Sequence, residues 1–203
     1  MVVKGKSSYR ERQARATRDR IAQAARALFR ERGYVGTTIE SIAASAGVAV
    51  PTVYSAFGSK KAILEEIRRA WIDQAEVREL VGEALREPDF RRRLDLAARW
   101  HRQQMEGGHD VITIYQEAAR VDPTMAKLRV AIWQSREREI EKFIQTMADG
   151  LKPGLSVKTA TDICVALERA EIYEELVLAR GWSPDQYQQW LGRCLRRELL
   201  ARP

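Results

Sequence analysis

The feature that most constrains the fold is a pair of short helical segments around a tight turn, between residues 37 and 60. Gly47 stands where the first segment needs a residue able to reach positive φ. The second segment tolerates Pro51, because the N–H groups of a first helical turn have no intrahelical acceptor to lose. It ends at Gly58. The apolar residues of the first segment recur at helical spacing: Ile39, Ile42, Ala43 and Ala46. The stretch therefore predicts a helix-turn-helix.

Capping signals support these helix ends. Thr37 and Glu40 have the spacing of a capping box, in which each side chain satisfies a backbone N–H of the first turn. Ser59 is placed to cap the helix that follows Gly58. The sequence thus predicts three successive helix starts within a short segment.

Charge placement suggests a polyanion at this motif. No charged residue occurs from Ser41 to Ser59, yet the run is too rich in Gly, Pro, Ser and Thr for a membrane span. Lys60 and Lys61 stand at a helix N-terminus, where a cation opposes the helix dipole by about 0.3–1 kcal/mol. A phosphate bound there would reverse that sign. The alternative is a small three-helix core with a solvated lysine pair.

The net charge is concentrated on the segment with the motif. Residues 1–68 hold 13 Lys and Arg against 6 Asp and Glu, whereas residues 69–203 hold 22 of each. A folded basic domain favours nucleic acid, since a membrane-surface segment would need a long basic amphipathic helix. Residues 1–20 carry seven of the cations, and we expect their early part to be disordered until DNA is bound.

These residues resemble the DNA-binding signature of the tetracycline-repressor (TetR) family of transcriptional regulators. The resemblance covers about Thr17 to Leu64 and rests on Thr37-Thr38-Ile39, Ile42-Ala43, Ala46-Gly47-Val48, Thr52-Val53-Tyr54, Phe57, Lys60 and Leu64. It implies that the second helix enters the major groove, that Tyr54 and Lys60 hold phosphates, and that a C-terminal domain dimerises and binds a small effector. Pro51 stands where such proteins often carry glycine.

The predicted contacts with double-stranded DNA follow from the side chains available. Arg, Lys, Asn and Gln are absent from Val48 to Ser59, so hydrogen-bonded base readout is limited to Thr52 and Ser55. Thymine methyl contacts and groove shape must then contribute more of the specificity. The predicted DNA-binding residues are Thr38, Val50, Pro51, Thr52, Tyr54, Ser55, Lys60 and, in the N-terminal arm, Arg18.

The rest of the chain keeps a helical pattern without the alternation of strands, which predicts an all-α protein of about nine helices. A first helix is expected from about Thr17 to Arg32, with one apolar stripe of Ile21, Ala24, Ala25, Leu28 and Phe29. Six further helices are expected near 59–86, 89–106, 110–121, 123–149, 156–180 and 184–201. We expect an N-terminal helix-turn-helix domain over residues 1–64 and a C-terminal effector-binding and dimerisation domain over residues 65–203.

The last two helices predict a homodimer, because they are apolar over more than one face. Their proposed interface residues are Leu167, Tyr173, Leu176, Tyr187, Trp190, Leu191 and Cys194. The family resemblance also implies such a dimer, in which these helices form a four-helix bundle with their symmetry mates. The alternative is a monomer with two ordinary buried helices.

The middle helices supply the candidate effector-binding residues, which combine aromatic rings with polar groups. Such a set is more often core, but the resemblance implies an effector between these helices. We expect a small apolar or amphipathic molecule. The candidate residues are Trp100, His101, Met105, Tyr115, Trp133 and Phe143.

Other functions lack sequence support. His101 and His109 do not share a helical face, and no nucleophile, phosphate-loop or metal spacing occurs, so we expect neither an enzyme nor a cofactor. Cys164 and Cys194 are expected to be reduced core thiols. The charge runs 136–142 and 168–175 are interpreted as solvated helix faces. No targeting signal is visible, and we expect a cytoplasmic protein without membrane contact.

The sequence thus predicts a ligand-responsive repressor that binds a palindromic operator as a homodimer and is released by its effector. The alternative is a helical protein that binds a small molecule and whose DNA-binding module is not used for regulation.

Overall fold

The computed structural model describes residues 9–73 and 75–201, and this part of the chain is built from helices. The ten α-helices are α1 (Tyr9–Gly36), α2 (Ile39–Ala46), α3 (Val50–Phe57), α4 (Lys60–Ile72), α5 (Ala75–Arg86), α6 (Phe90–Val121), α7 (Pro123–Gln145), α8 (Val157–Leu167), α9 (Ala170–Tyr173) and α10 (Pro184–Leu199). A 3-10 turn (Ala148–Gly150) follows α7, and a π-helix (Glu174–Ala179) continues α9. The described residues contain no strand, only an isolated antiparallel bridge between Leu151 and Leu200. The all-α prediction is confirmed.

The chain forms two compact units. The first comprises residues up to Ala70 together with Thr113–Ala126, and the second comprises Trp71–Ile112 and the residues from Lys127 onward. The sequence predicted one division after residue 64, whereas contacts place the end of α6 and the start of α7 with the first unit. Among the described residues, no helix combines the length and apolarity needed to cross a membrane.

The first unit is organised by α1, which packs against α2 and α3. Its buried side chains reproduce the predicted stripe except for Ala24, which is partly exposed: Ile21, Ala25, Leu28 and Phe29. The helix begins at Tyr9 rather than near Thr17, so the expectation of a disordered arm is wrong for residues 9–16. Residues 1–8 of that arm lie outside the described residues.

The turn of the predicted helix-turn-helix is present between α2 and α3. Gly47 ends α2 in the left-handed conformation, with φ 65° and ψ 38°, as predicted. The start of α2 differs from the prediction, because the capping box joins Thr38 and Ser41 rather than Thr37 and Glu40. Thr37 is fully buried, and its hydroxyl donates to the carbonyl of Gly33 at 2.8 Å.

The core of the second unit includes buried residues of α6, α7, α8 and α10, and α10 packs against α8. Four of the helices predicted after Gly58 have other bounds in the structure. The helix expected over 59–86 ends at Ile72 and a separate helix begins at Ala75. The helices expected over 89–106 and 110–121 are one helix with a kink at Gly108. The helix expected over 156–180 is divided into α8, α9 and the π-helix.

The kink in α6 coincides with close packing of an indole ring. A Cβ atom at Gly108 would lie 2.1 Å from Cε2 of Trp71. The indole N–H of Trp71 donates to the carbonyl of Gln104 at 3.0 Å. Glycine is therefore required at this position by the approach of the ring.

Candidate functional sites

The outward face of α3 is the candidate DNA-binding surface. Val53 is the buried residue of α3 and fixes its inner face. Pro51, Tyr54 and Ser55 are exposed on the opposite side, and the Tyr54 side chain is 51% exposed. Val50 and Thr52 are partly buried at the edges of this face. The helix therefore presents hydroxyl groups, small apolar groups and one aromatic ring, without a charged side chain.

Lys60 occupies a position within the first unit that the sequence did not anticipate. Its ammonium group donates to the carbonyls of Tyr34 at 2.7 Å and Thr37 at 2.8 Å, and lies 4.3 Å from the centre of the Tyr34 ring. Burial lowers its pKa. An ammonium has three donors, so a phosphate contact would have to use the third. The predicted phosphate contact of Lys60 stays a prediction.

Glu117, near the end of α6, binds the backbone N–H groups of the same chain segment whose carbonyls Lys60 binds. Its carboxylate accepts from the backbone N–H groups of Tyr34 at 2.8 Å and Val35 at 3.2 Å. These groups follow Gly33, whose φ of 73° and ψ of 169° interrupt the helical geometry of α1. Sequence reasoning missed Glu117, because 83 residues separate it from Tyr34 and no local motif marks it.

Arg18 and Thr38, two further predicted DNA-binding residues, have defined structural roles. The guanidinium group of Arg18 donates to the carbonyl of Ala56, lies 4.1 Å from the ring centre of Phe57 and is 3.4 Å from Oε2 of Glu66. Arg18 therefore joins α1 to α3 and α4. Thr38 is exposed at the start of α2, and its hydroxyl accepts from the N–H of Ser41 at 3.2 Å.

The predicted effector-binding residues divide between the two units. Tyr115 belongs to the first unit, where burial raises the pKa of its hydroxyl to about 12. Met105 is fully buried in the core of the second unit, and Phe143 packs against that core. Trp133 is partly exposed, with the guanidinium carbon of Arg169 5.3 Å from its ring centre. A shallow depression of about 320 Å³ in the second unit is lined by other residues: Asp89, Phe90, Arg91, Gly150, Leu200 and Ala201.

His101 lies in a buried polar cluster of the second unit. Its Nδ1 atom is 3.3 Å from Nη2 of Arg136, which donates to Oε2 of Glu168 at 2.8 Å. The sequence predicts solvated helix faces for the charge runs that contain Arg136 and Glu168. This prediction is wrong for Glu168, whose side chain is 5% exposed, and for the guanidinium group of Arg136, which pairs with it. Burial and the Arg136 charge lower the pKa of His101 well below its usual value. Burial raises the pKa of Glu168.

The predicted dimer-interface residues fall into two groups. Tyr173, Tyr187 and Leu191 are buried within the single chain, so their side chains pack in its core rather than on an open face. The remaining four, which are partly exposed, are Leu167, Leu176, Trp190 and Cys194. Cys164 is buried, and both cysteines are free thiols. Within the described residues, no group of three or more His, Cys, Asp or Glu side chains could hold a metal ion.

A helix-turn-helix domain is defined by the two short helices, by the left-handed glycine between them and by the packing of α1 against both. The rest of the described chain is helical. Residues 21–67 match the model of the bacterial regulatory proteins of the tetR family. The helix-turn-helix domain is therefore of the TetR-family type, as its signature residues predicted.

Comparison with individual proteins agrees with this assignment. The HTH-type transcriptional repressor KstR2 of Rhodococcus jostii is 30% identical over 105 residues, which is 51% of this chain and half the length of that relative. The structure of NalD, the secondary repressor of the MexAB-OprM multidrug efflux pump in Pseudomonas aeruginosa, superposes with a TM-score of 0.73 at 24% identity, covering 93% of this chain and 98% of that one. A regulator from Saccharomonospora viridis in complex with choline has a TM-score of 0.72 at 23% identity, covering 93% and 100%. These structural likenesses establish the fold.

Proposed function

We propose that the protein is a ligand-responsive transcriptional repressor that binds a palindromic operator as a homodimer and is released by a small molecule. The observation that supports this most directly is the outward face of α3, where Pro51, Tyr54 and Ser55 are exposed on a helix held from behind by Val53. The family match over residues 21–67 and the naming of KstR2 and NalD as repressors support the same function.

Base recognition is proposed to depend on methyl contacts and groove shape. Val50 and Pro51 would contact thymine methyl groups, and Thr52 and Ser55 would supply the hydrogen bonds. Tyr54, Thr38 and the third donor of Lys60 would hold phosphates. Arg18 would contribute mainly by fixing α3, since its guanidinium group donates to the carbonyl of Ala56 within the unit.

The proposed dimer would use the apolar side chains of the C-terminal helices that the single chain leaves partly exposed. These are Leu167, Leu176, Trp190 and Cys194, together with Leu178, which is 58% exposed. An isologous interface repeats each contact about the twofold axis, so each of these side chains would contribute twice to the interface. Two recognition helices on a palindrome must then lie about 34 Å apart or a multiple of that distance.

The experiment that tests the proposed function is a gel shift with the DNA that flanks the protein's own gene. Tyr54→Ala is expected to weaken binding about tenfold or more through the loss of a phosphate contact, with little effect on sequence preference. The control is Leu85→Ala, which truncates a side chain 46% exposed on α5. Absence of any specific shift would favour the alternative, a small-molecule-binding protein whose DNA-binding module is not used for regulation.

A further inference from the structure

His101 carries a hydrogen-bond donor without an acceptor. Nδ1 faces Nη2 of Arg136, which can only donate, so Nδ1 accepts and the ring proton must be on Nε2. The ring is fully buried, and its lowered pKa keeps it neutral, with a single N–H. Nε2 has no hydrogen-bond partner among the described residues. An unpaired buried N–H is unfavourable, so this donor favours the binding of an acceptor.

Tyr187 provides a second unpaired group beside the first. Its ring centre lies 6.0 Å from that of His101, the residue is fully buried, and its hydroxyl also has no partner among the described residues. Tyr173 packs edge-on against Tyr187 at 5.0 Å, and Trp190 lies at 5.9 Å between ring centres. Two unpaired groups able to donate a hydrogen bond thus occur among aromatic rings.

The charges around these donors are already balanced. Arg136 and Glu168 form an ion pair at 2.8 Å, and Glu168 is buried. An additional carboxylate or ammonium group would have to be desolvated without a counter-charge of its own. A neutral oxygen acceptor, by contrast, would satisfy a buried N–H or O–H without introducing charge. The Arg136 side chain, 31% exposed, marks the edge of the cluster that reaches solvent.

We propose that His101 and Tyr187 recognise the effector, and that the effector is an uncharged molecule with a carbonyl or ether oxygen on an apolar body. This inference rests on the proposed function, because it assigns the chemistry of the ligand that such a regulator would sense. Tyr187 was predicted from the sequence as an interface residue, and its burial within the chain makes it available for this role instead.

The test compares three probes of similar size on the full chain without DNA: acetophenone, its hydrocarbon analogue cumene, and benzoate. Binding is followed by calorimetry and by tryptophan fluorescence, which Trp190 should report. We expect acetophenone to bind about five- to tenfold more tightly than cumene, corresponding to one hydrogen bond to a buried donor, and benzoate to bind most weakly. Equal affinities for acetophenone and cumene, tighter binding of benzoate, or no saturable binding of acetophenone would overturn the proposal.

Tyr187→Phe separates recognition from folding. Removing an unpaired hydroxyl is expected to leave the Tm of the free protein unchanged or raised, while the preference for acetophenone over cumene falls about five- to tenfold. His101→Leu should reduce the same preference. Tyr34→Phe, the same change at a buried tyrosine of the other unit, is the control and should retain it. A Tyr187→Phe protein with a lowered Tm and an intact preference would show that the hydroxyl has an internal role, and would contradict the proposal.

Failure of this inference can be distinguished from failure of the proposed function. Operator binding by the wild-type protein is measured by gel shift in the absence of any probe. A protein that binds its operator but shows no preference for acetophenone retains the regulatory function and lacks the proposed ligand chemistry.

Discussion

Two sites, the end of α1 in the first unit and the His101 cluster in the second, give their charged side chains different partners. In the first unit, charged side chains pair with backbone groups: Glu117 accepts from the N–H groups of Tyr34 and Val35, and Lys60 donates to the carbonyls of Tyr34 and Thr37. In the cluster of the second unit, Arg136 pairs with Glu168 and His101. Within that cluster, Nε2 of His101 has no hydrogen-bond partner among the residues that the structure describes.

This difference indicates two kinds of site. Charged groups bound to the backbone hold the end of α1 in one conformation, which suits a domain that must present α3 in a fixed orientation. An unpaired buried donor, such as Nε2 of His101, instead raises the free energy of the protein until an acceptor is bound, which is the property on which the proposed ligand chemistry depends. Three substitutions test this comparison, in order of expected effect.

Gly33→Ala should produce the largest loss of stability, in the first unit. With φ of 73° and ψ of 169°, the backbone of Gly33 lies in a region reserved for glycine, and a Cβ atom would lie 2.6 Å from Oε1 of Glu117. We expect a loss of about 3 kcal/mol, measured by amide hydrogen exchange of α1 to α3. Gly36→Ala is the control, because its Cβ would meet only Cβ of Arg32 at 3.6 Å. Equal effects of the two substitutions would contradict the argument.

Glu117→Ala should loosen the same segment by a smaller amount. Loss of the carboxylate leaves the partly buried N–H of Tyr34 without its acceptor, at a cost of about 1–3 kcal/mol, and leaves the exposed N–H of Val35 to water. Exchange of these two amides should accelerate about tenfold or more, while amides of α8 and α10 keep their wild-type rates. Glu141→Ala, at an exposed position of α7, provides the control. Unchanged exchange at Tyr34 and Val35 would show that Glu117 does not hold the segment.

His101→Leu should alter how stability depends on pH in the second unit. The pKa of His101 is lower in the folded protein than in the unfolded chain, so its contribution is constant above about pH 6.5 and stability is lost as pH falls below that value. The slope from this group is at most about 1.4 kcal/mol per pH unit. The free energy of unfolding, measured with urea between pH 7 and pH 5, should depend less steeply on pH in His101→Leu than in the wild type. Equal pH dependence of the two proteins would contradict the burial of neutral His101.

The helix-turn-helix could be predicted because its signals are local. Gly47 adopts the left-handed conformation that its position required, and Ser59 accepts from the N–H of Ala62 at the start of α4 as predicted. The predicted capping box of α2 was wrong by one residue, because it named Thr37 rather than Thr38. Thr37 and Thr38 both have a capping partner three residues on, and only the burial of Thr37 against Gly33 decides that Thr38 is the cap.

The sequence by itself determined the all-α class, the helix-turn-helix and the apolar faces, since spacing, capping and glycine placement act within a few residues. Tertiary structure decided which charged residues are buried and with what they pair. Glu117 reaches the end of α1 across 83 residues, and Arg136 reaches Glu168 across 32. A charged side chain on an amphipathic helix is compatible with solvent or with a buried partner, and only the packing of other helices around it determines which of these environments it occupies.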